Sequence, residues 1–457
     1  MKGIPRIGSG WRTSAKCPFC LCPFLVVANI LMNVLTTQST TCYRLSLFIA
    51  INFFLVTYKN VAFLKPPQHS LAVSFIVTVA VKFYIPEFSW FIFPILALFN
   101  YGFNLFTKSI NRRFLSSFSQ CELIIVSQGI LTFLAQSTLC ELVPSVPDLA
   151  LSCSNDPTTR VLQILFFGLS MTVAAMLYSA TQNDNLIYVY TSFFTGLFLI
   201  YSRIAVILNK EPLTWLFLEI IFTSTRIHLF ELWACLFLFA VFFCVVVAAF
   251  ANGSSNTVIR KFFHLIIIPV YASGLKYDSI LLHFLSSCLL WIFILLETLR
   301  ITDPDNTGKA IEFFMERFKN ENDQGFLTLT HIYLLVGLSL STWLSPNIDK
   351  ISFNLTSGLI TVAVGDTAAG IIGSLFGKHK WPNSKKSFEG TFGAIFFQIL
   401  ASIFLISFLK VPTNFVVVII LCVISSILEA KTVQIDNLIL PLYFNLLWLI
   451  FEAISNL

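Results

Sequence analysis

The richest chemistry in this chain lies where an apolar run meets a lysine cluster, in "VGDTAAGIIGSLFGKHKWPNSKKSFEGT" (364–391). Asp366 stands near its start, and Lys378, Lys380, Lys385 and Lys386 follow, interleaved with Ser384, Ser387, Gly390 and Thr391. A carboxylate at the centre of a membrane helix costs at least about 2.5 kcal/mol, and such residues mark function. Ammonium groups, hydroxyls and a glycine that lets backbone approach are the parts that hold phosphate. Ser387-Phe388-Glu389-Gly390 opens the next apolar run, so a helix N-terminus is expected to add free N–H groups and its dipole to the same place. The arrangement is not a P-loop. That pattern needs glycine where Ile372 stands and Ser or Thr where His379 follows Lys378.

Phosphoryl transfer requires lysines and a divalent cation on the phosphates and a carboxylate that orients the acceptor hydroxyl. Asp366, Asp436 and Glu389 are the candidate carboxylates, with Asp366 also the candidate metal ligand. Lys378, Lys380, Lys385, Lys386, Ser387, Gly390 and Thr391 are the candidate nucleotide-binding residues. Asp366 precedes Lys378 by 12 residues, about 18 Å of helix, which puts it near mid-membrane if the helix runs straight. A break among Gly370, Gly373 and Gly377 instead brings it towards the surface. Gly370 and Gly373 read first as helix-packing positions. Arg260-Lys261-Phe262-Phe263-His264 reads as a topogenic basic pair with interfacial aromatics. Glu297 and Arg300 read as a pair one turn apart, and Asp436-Asn437 as a helix cap or a site carboxylate at the mouth of the last span.

The elements that position these groups are membrane helices. Of 457 residues, 56% are hydrophobic and 11% charged, and mean hydropathy is +0.82. Soluble domains carry about 25% charged residues. Near-spanning apolar runs recur throughout, so the expected fold is all-α: a polytopic helical bundle with roughly 13 to 16 crossings at about 20 residues each. The alternation of a membrane β-barrel is absent. The net charge of +6 acts through topology, and nothing here suits nucleic acid or names a protein partner. The 11 cysteines sit mostly in apolar runs, and Cys17-Pro18-Phe19-Cys20 lacks the second pair of a zinc ribbon. The basic N-terminus followed by an apolar run reads as a retained anchor rather than a cleaved signal.

Two regions are expected: 1–254, a multi-span accessory or lipid-facing part, and 255–457, a catalytic part with a cytosolic nucleotide-binding loop. No acidic residue precedes Glu87, whereas seven fall between Glu297 and Asp323. Within 300–326, Ile311, Phe314, Met315 and Phe318 share one helical face, as in a helix lying on the membrane surface. Even numbers of crossings separate the polar stations at 260–261, 300–326, 378–386 and 429–437. All four are therefore expected on one side, which the lysine density makes cytosolic. A transporter built from inverted halves would need matching broken helices, and the acidic residues are lopsided instead.

Four stretches resemble the dolichol kinases of the polyprenol kinase family: "VIRKFFHLI" (258–266), "LTHIYLLVG" (329–337), 364–391 as quoted above, and "LEAKTVQIDNLILPL" (428–442). The resemblance covers about 255–445. It implies an endoplasmic-reticulum membrane enzyme that transfers the γ-phosphate of CTP to the terminal hydroxyl of dolichol. The products would be dolichyl phosphate, the lipid carrier for N-glycosylation and mannosylation, and CDP. It also implies a divalent cation (Mg²⁺ or Ca²⁺) and places the CTP-binding segment at about Lys378 to Gly393. The choice of cytidine comes wholly from the resemblance. A kinase for a shorter polyprenol or phytol shares these features. The Gly-His-Gly-Gly and Asp-Arg-x-Asp type signature of a cytidylyltransferase is absent.

Overall fold

The computed structural model describes residues 22–36, 41–60, 67–84, 90, 92–114, 117–142, 157–182, 185–250, 255–303, 306–315, 326–382, 384–432 and 435–455. The Cys17–Cys20 pair, the basic N-terminus, Phe318 and Asn383 lie outside them. The described residues are helical with no strand, and a single isolated bridge joins Lys380 to Ser387. Eight of these helices are long and apolar enough to cross a membrane, and four shorter apolar helices accompany them. This is the expected all-α polytopic architecture. The run at 353–376 is one such helix, as are 388–409 and 436–455.

Two compact units divide the chain. The first comprises 1–209, 291–313 and 321–329; the second comprises 210–290, 314–320 and 330–457. Helix Ser279–Thr302 contributes to both.

In the first unit, Leu45, Ile49, Phe53, Val77, Leu96 and Leu139 form the centre of a buried cluster. Two asparagines beside it satisfy each other, as an apolar solvent favours. Asn52 and Asn100 exchange amide hydrogen bonds at 2.9 and 3.1 Å, and Asn100 also donates to Ser74 Oγ at 2.6 Å. Glu297 and Arg300 do pair, with Arg300 Nε 2.9 Å and Nη2 2.8 Å from the carboxylate. Glu297 further accepts from the Thr328 amide at 2.8 Å, and Arg300 donates to the Phe326 carbonyl at 2.5 Å. This buried pair fastens the chain around 326–328 to the end of its helix. Asp303 accepts from Tyr190 at 2.7 Å and Thr307 Oγ1 at 3.0 Å; burial works against its charge, but these donors lower its pKa. Within 300–326, residues Thr307–Met315 form a helix.

In the second unit, helices Ser255–Tyr277 and the start of Ser279–Thr302 meet at Asp278. Helix Thr330–Trp343 lies against the start of helix Asp436–Ser455. Gly337 makes that approach possible: a Cβ there would fall on the Asn437 carbonyl. Ser425 Oγ donates to Gln398 Oε1 at 2.9 Å, tying helix Phe388–Leu409 to helix Phe415–Lys431. These contacts set the three helix ends from which the site is built.

Candidate active site

Residues Leu359–Asp366 wind as a π-helix that passes directly into the α-helix Thr367–Phe376. The wider winding is uncommon and recurs at functional sites. Asp366 sits at the junction, so its carboxylate leaves the helix where the winding changes. The α-helix runs unbroken past Gly370 and Gly373 and stops at Gly377, whose N–H donates to the Gly373 carbonyl at 3.2 Å. Asp366 and the lysines are nonetheless brought together, because the chain after Gly377 doubles back.

That return is a short hairpin. The Trp381 N–H donates to the Lys386 carbonyl at 3.0 Å and the Phe388 N–H to the His379 carbonyl at 2.9 Å. The Trp381 and Phe388 rings stack at 4.1 Å, and Trp381 Nε1 donates to Thr391 Oγ1 at 2.9 Å. Ser387 caps the next helix by accepting from the Gly390 N–H at 3.1 Å. Both the Phe388 and Gly390 N–H groups are thus already engaged, which corrects the expectation of an open helix N-terminus. Phosphate contacts would fall on the lysines, with the dipole as background. Gly390 has a second reason to be glycine: a Cβ would lie 2.8 Å from the Ala369 carbonyl, so the two helices could not close.

Three carboxylates converge behind the hairpin. Asp366, Glu429 and Asp436 each present an oxygen within 4.8 Å of the others. Two lysines answer them. Lys261 Nζ lies 2.6 Å from Asp366 Oδ2 and 3.0 Å from the Asp366 carbonyl. Lys386 Nζ lies 2.6 Å from Glu429 Oε1, 2.6 Å from the Glu429 carbonyl and 2.8 Å from Asp436 Oδ2. Burial works against the Lys386 charge, but the Asp436 and Glu429 carboxylates override it and raise its pKa. His264 Nδ1 stands 3.7 Å from Asp366 Oδ2, with Thr367 Oγ1 at 3.4 Å from the same nitrogen.

A cavity of about 310 Å³ opens over these groups, lined by Asp366, Lys380, Lys385, Lys386, Ser387, Gly390, Thr391 and Glu429 among others. Most of the residues singled out in the sequence therefore share one cavity. Two do not line it. Lys378 is exposed beside it. Glu389 turns to His379, accepting from its backbone N–H at 3.1 Å with Nδ1 at 2.6 Å. Sequence reasoning missed Lys261, His264 and Glu429 as site residues, although all three fall within the stretches singled out. A larger cavity of about 830 Å³ in the first unit, lined by Phe167, Met171, Leu199 and Arg203 among others, contains no carboxylate. The carboxylates and the lysine cluster line the smaller one.

Divalent-cation binding can be judged from the donors. Hard carboxylate oxygens are what Mg²⁺ and Ca²⁺ take, and Asp436 Oδ1 is buried without a hydrogen-bond partner. An acceptor left over beside two further carboxylates fits a cation.

Residues 117–389 match the family model described as dolichol kinase. The match stops short of Glu429 and Asp436, which geometry brings to the site. The chain is similar to dolichol kinase of Homo sapiens, 39% identical over 261 residues, 53% of this chain and 48% of the relative. To dolichol kinase of Bos taurus it is 36% identical over 307 residues, covering 63% and 56%. To dolichol kinase sec59 of Schizosaccharomyces pombe it is 29% identical over 364 residues, covering 74% and 69%. The chain thus spans about half the length of the mammalian relatives. No solved structure matches it.

Proposed function

The chain belongs to the dolichol kinase family, and from that premise we propose that it transfers the γ-phosphate of CTP to the terminal hydroxyl of dolichol. The products are dolichyl phosphate, which serves N-glycosylation and mannosylation, and CDP. The observation that carries this reading is the single cavity in which Lys380, Lys385 and Lys386 face Asp366 and Glu429. Lysines for phosphate on one wall and carboxylates for a cation and a hydroxyl on the other are the parts phosphoryl transfer uses.

In the transfer, the acceptor oxygen forms a bond to the γ-phosphorus and the bond from that phosphorus to the β,γ-bridging oxygen breaks. CDP leaves, and the hydroxyl proton passes to water as the new ester forms. Lys380 and Lys385 hold the phosphates. Asp366 lines the cavity and is held by Lys261 from two directions, so it can orient the acceptor hydroxyl. Asp366, Glu429 and Asp436 would hold the divalent cation, which neutralises charge on the transferring phosphate. Glu389 acts from outside the cavity by bracing His379, and Lys378 contributes charge at its rim. The prenyl chain stays in the bilayer and delivers only its hydroxyl. The lysine-rich hairpin faces the cytosol in an endoplasmic-reticulum membrane, following the positive-inside rule.

Purified protein given dolichol and γ-labelled CTP should yield labelled dolichyl phosphate. Equal use of ATP would remove the cytidine preference, and preferential labelling of phytol or short polyprenols would reassign the acceptor.

A further inference from the structure

The Lys386 ammonium has three hydrogens and meets three acceptors: Glu429 Oε1, the Glu429 carbonyl and Asp436 Oδ2, at 2.6, 2.6 and 2.8 Å. All its donors are spent inside the protein. Yet the same side chain lines the cavity beside Lys380, Lys385 and Thr391. In this arrangement it cannot donate to a phosphate without giving up a carboxylate. The two carboxylates it holds are, with Asp366, the set whose oxygens converge within 4.8 Å. Lys386 therefore stands in the place a divalent cation would claim.

We infer that Lys386 is an exchangeable counter-ion: a divalent cation arriving at Glu429 and Asp436 displaces its ammonium, which then turns to the nucleotide phosphates. This rests on the phosphoryl-transfer reading of the site, and it adds a coupling between metal and nucleotide. The main chain need not move. The Lys386 carbonyl is fixed by the Trp381 N–H at 3.0 Å, and the flexible four-carbon stem can swing from one wall to the other. The exchange conserves charge pairing at each stage. The carboxylates pass from ammonium to metal, and the ammonium passes from carboxylates to phosphate. Metal and nucleotide then bind with positive cooperativity, because each removes the other's competitor.

The test uses the full chain in detergent or nanodiscs, with Mg²⁺, Ca²⁺ and CTP as probes and the thermal unfolding midpoint as readout, without turnover. Lys386→Met vacates the position while keeping all three carboxylates. It is expected to bind metal alone about tenfold more tightly than the unsubstituted protein, within the usual range of coupled sites. If Lys386→Met folds only when metal is added, that dependence is itself the expected result. Metal affinity that is unchanged or weaker overturns the exchange. Glu429→Gln provides a second arm. It loosens the ammonium, so CTP affinity without metal should rise while metal affinity falls; an unchanged metal-free CTP affinity contradicts the inference. Absence of label transfer to dolichol would instead count against the kinase reading, and it is measured separately.

Discussion

Lys261 grips Asp366 twice, through the carboxylate at 2.6 Å and the main-chain carbonyl at 3.0 Å, across 105 residues of sequence. One ammonium thereby sets both the charge environment of the aspartate and the point where the π-wound turn ends. Gly370 leaves room for it, since a Cβ there would meet Lys261 Cε at 3.0 Å. Lys261→Met should leave Asp366 uncompensated beside Glu429 and Asp436. Breaking such a mostly buried pair costs about 3 kcal/mol, read as a lowered unfolding midpoint. Lys261→Arg should restore part of the midpoint but less of kcat, because a planar guanidinium places its donors differently from a compact ammonium.

Asp366→Asn keeps the shape and removes the charge. It should lower kcat by about 10²- to 10⁴-fold while the protein remains folded, checked by its elution profile and melting curve. A variant with full turnover would show that Asp366 serves neither the hydroxyl nor the metal.

Lys380→Ala with Lys385→Ala removes two further lysines that line the cavity. Nucleotide KM should rise about tenfold or more, with kcat falling less, since loss of a charge-assisted contact is worth about 1.5 to 3 kcal/mol. Glu389→Gln should also act on KM more than on kcat, because its partner is the hairpin residue His379. Kinetics over a range of CTP concentrations separate the two effects.

Gly390→Ala brings a methyl group to 2.8 Å from the Ala369 carbonyl. Helices Thr367–Phe376 and Phe388–Leu409 must then part, and the cavity floor opens with them. A destabilisation of about 1 to 3 kcal/mol is expected for such overpacking. Ser387→Ala, which removes only the cap, should cost about 1 kcal/mol. Melting curves of the two variants give the order.

The pH dependence of Lys386 has a definite sign. Its folded-state pKa lies above the ordinary 10.5, so the folded protein holds the proton more tightly than the unfolded chain. The resulting stability is fully present below about pH 10.5 and is lost as pH rises through the folded value. The midpoint of the unsubstituted protein should therefore owe no change to Lys386 through neutral pH and fall only in strong alkali, a fall that Lys386→Met lacks.

Much of this site was legible from residue types. Asp366 stood out because a carboxylate in apolar sequence needs a reason, and Lys385 and Lys386 because so dense a cluster exceeds what topology requires. Lys261 was hidden because a lysine beside an arginine at a helix end already has an explanation in membrane topology. Its second role depends on a contact between segments far apart in sequence. Glu429 was masked in the same way, as an acid at the end of an apolar run. The expected open helix N-terminus is narrowed for a local reason, since hairpin and cap engage the Phe388 and Gly390 N–H groups. The roughly 13 to 16 crossings expected at about 20 residues each compare with eight helices of sufficient length and hydropathy among the described residues. Helices such as Thr330–Trp343 are apolar but short, and their ends carry the polar contacts that build the site.

In the proposed reaction, one cavity couples a lysine-held nucleotide to a carboxylate-held acceptor. The most direct test is transfer of label from γ-labelled CTP to dolichol by purified protein and by its Asp366→Asn variant, side by side. Labelled dolichyl phosphate from the first and essentially none from the folded variant is the expected result. No transfer by the unsubstituted protein, or equal transfer by both, would contradict it.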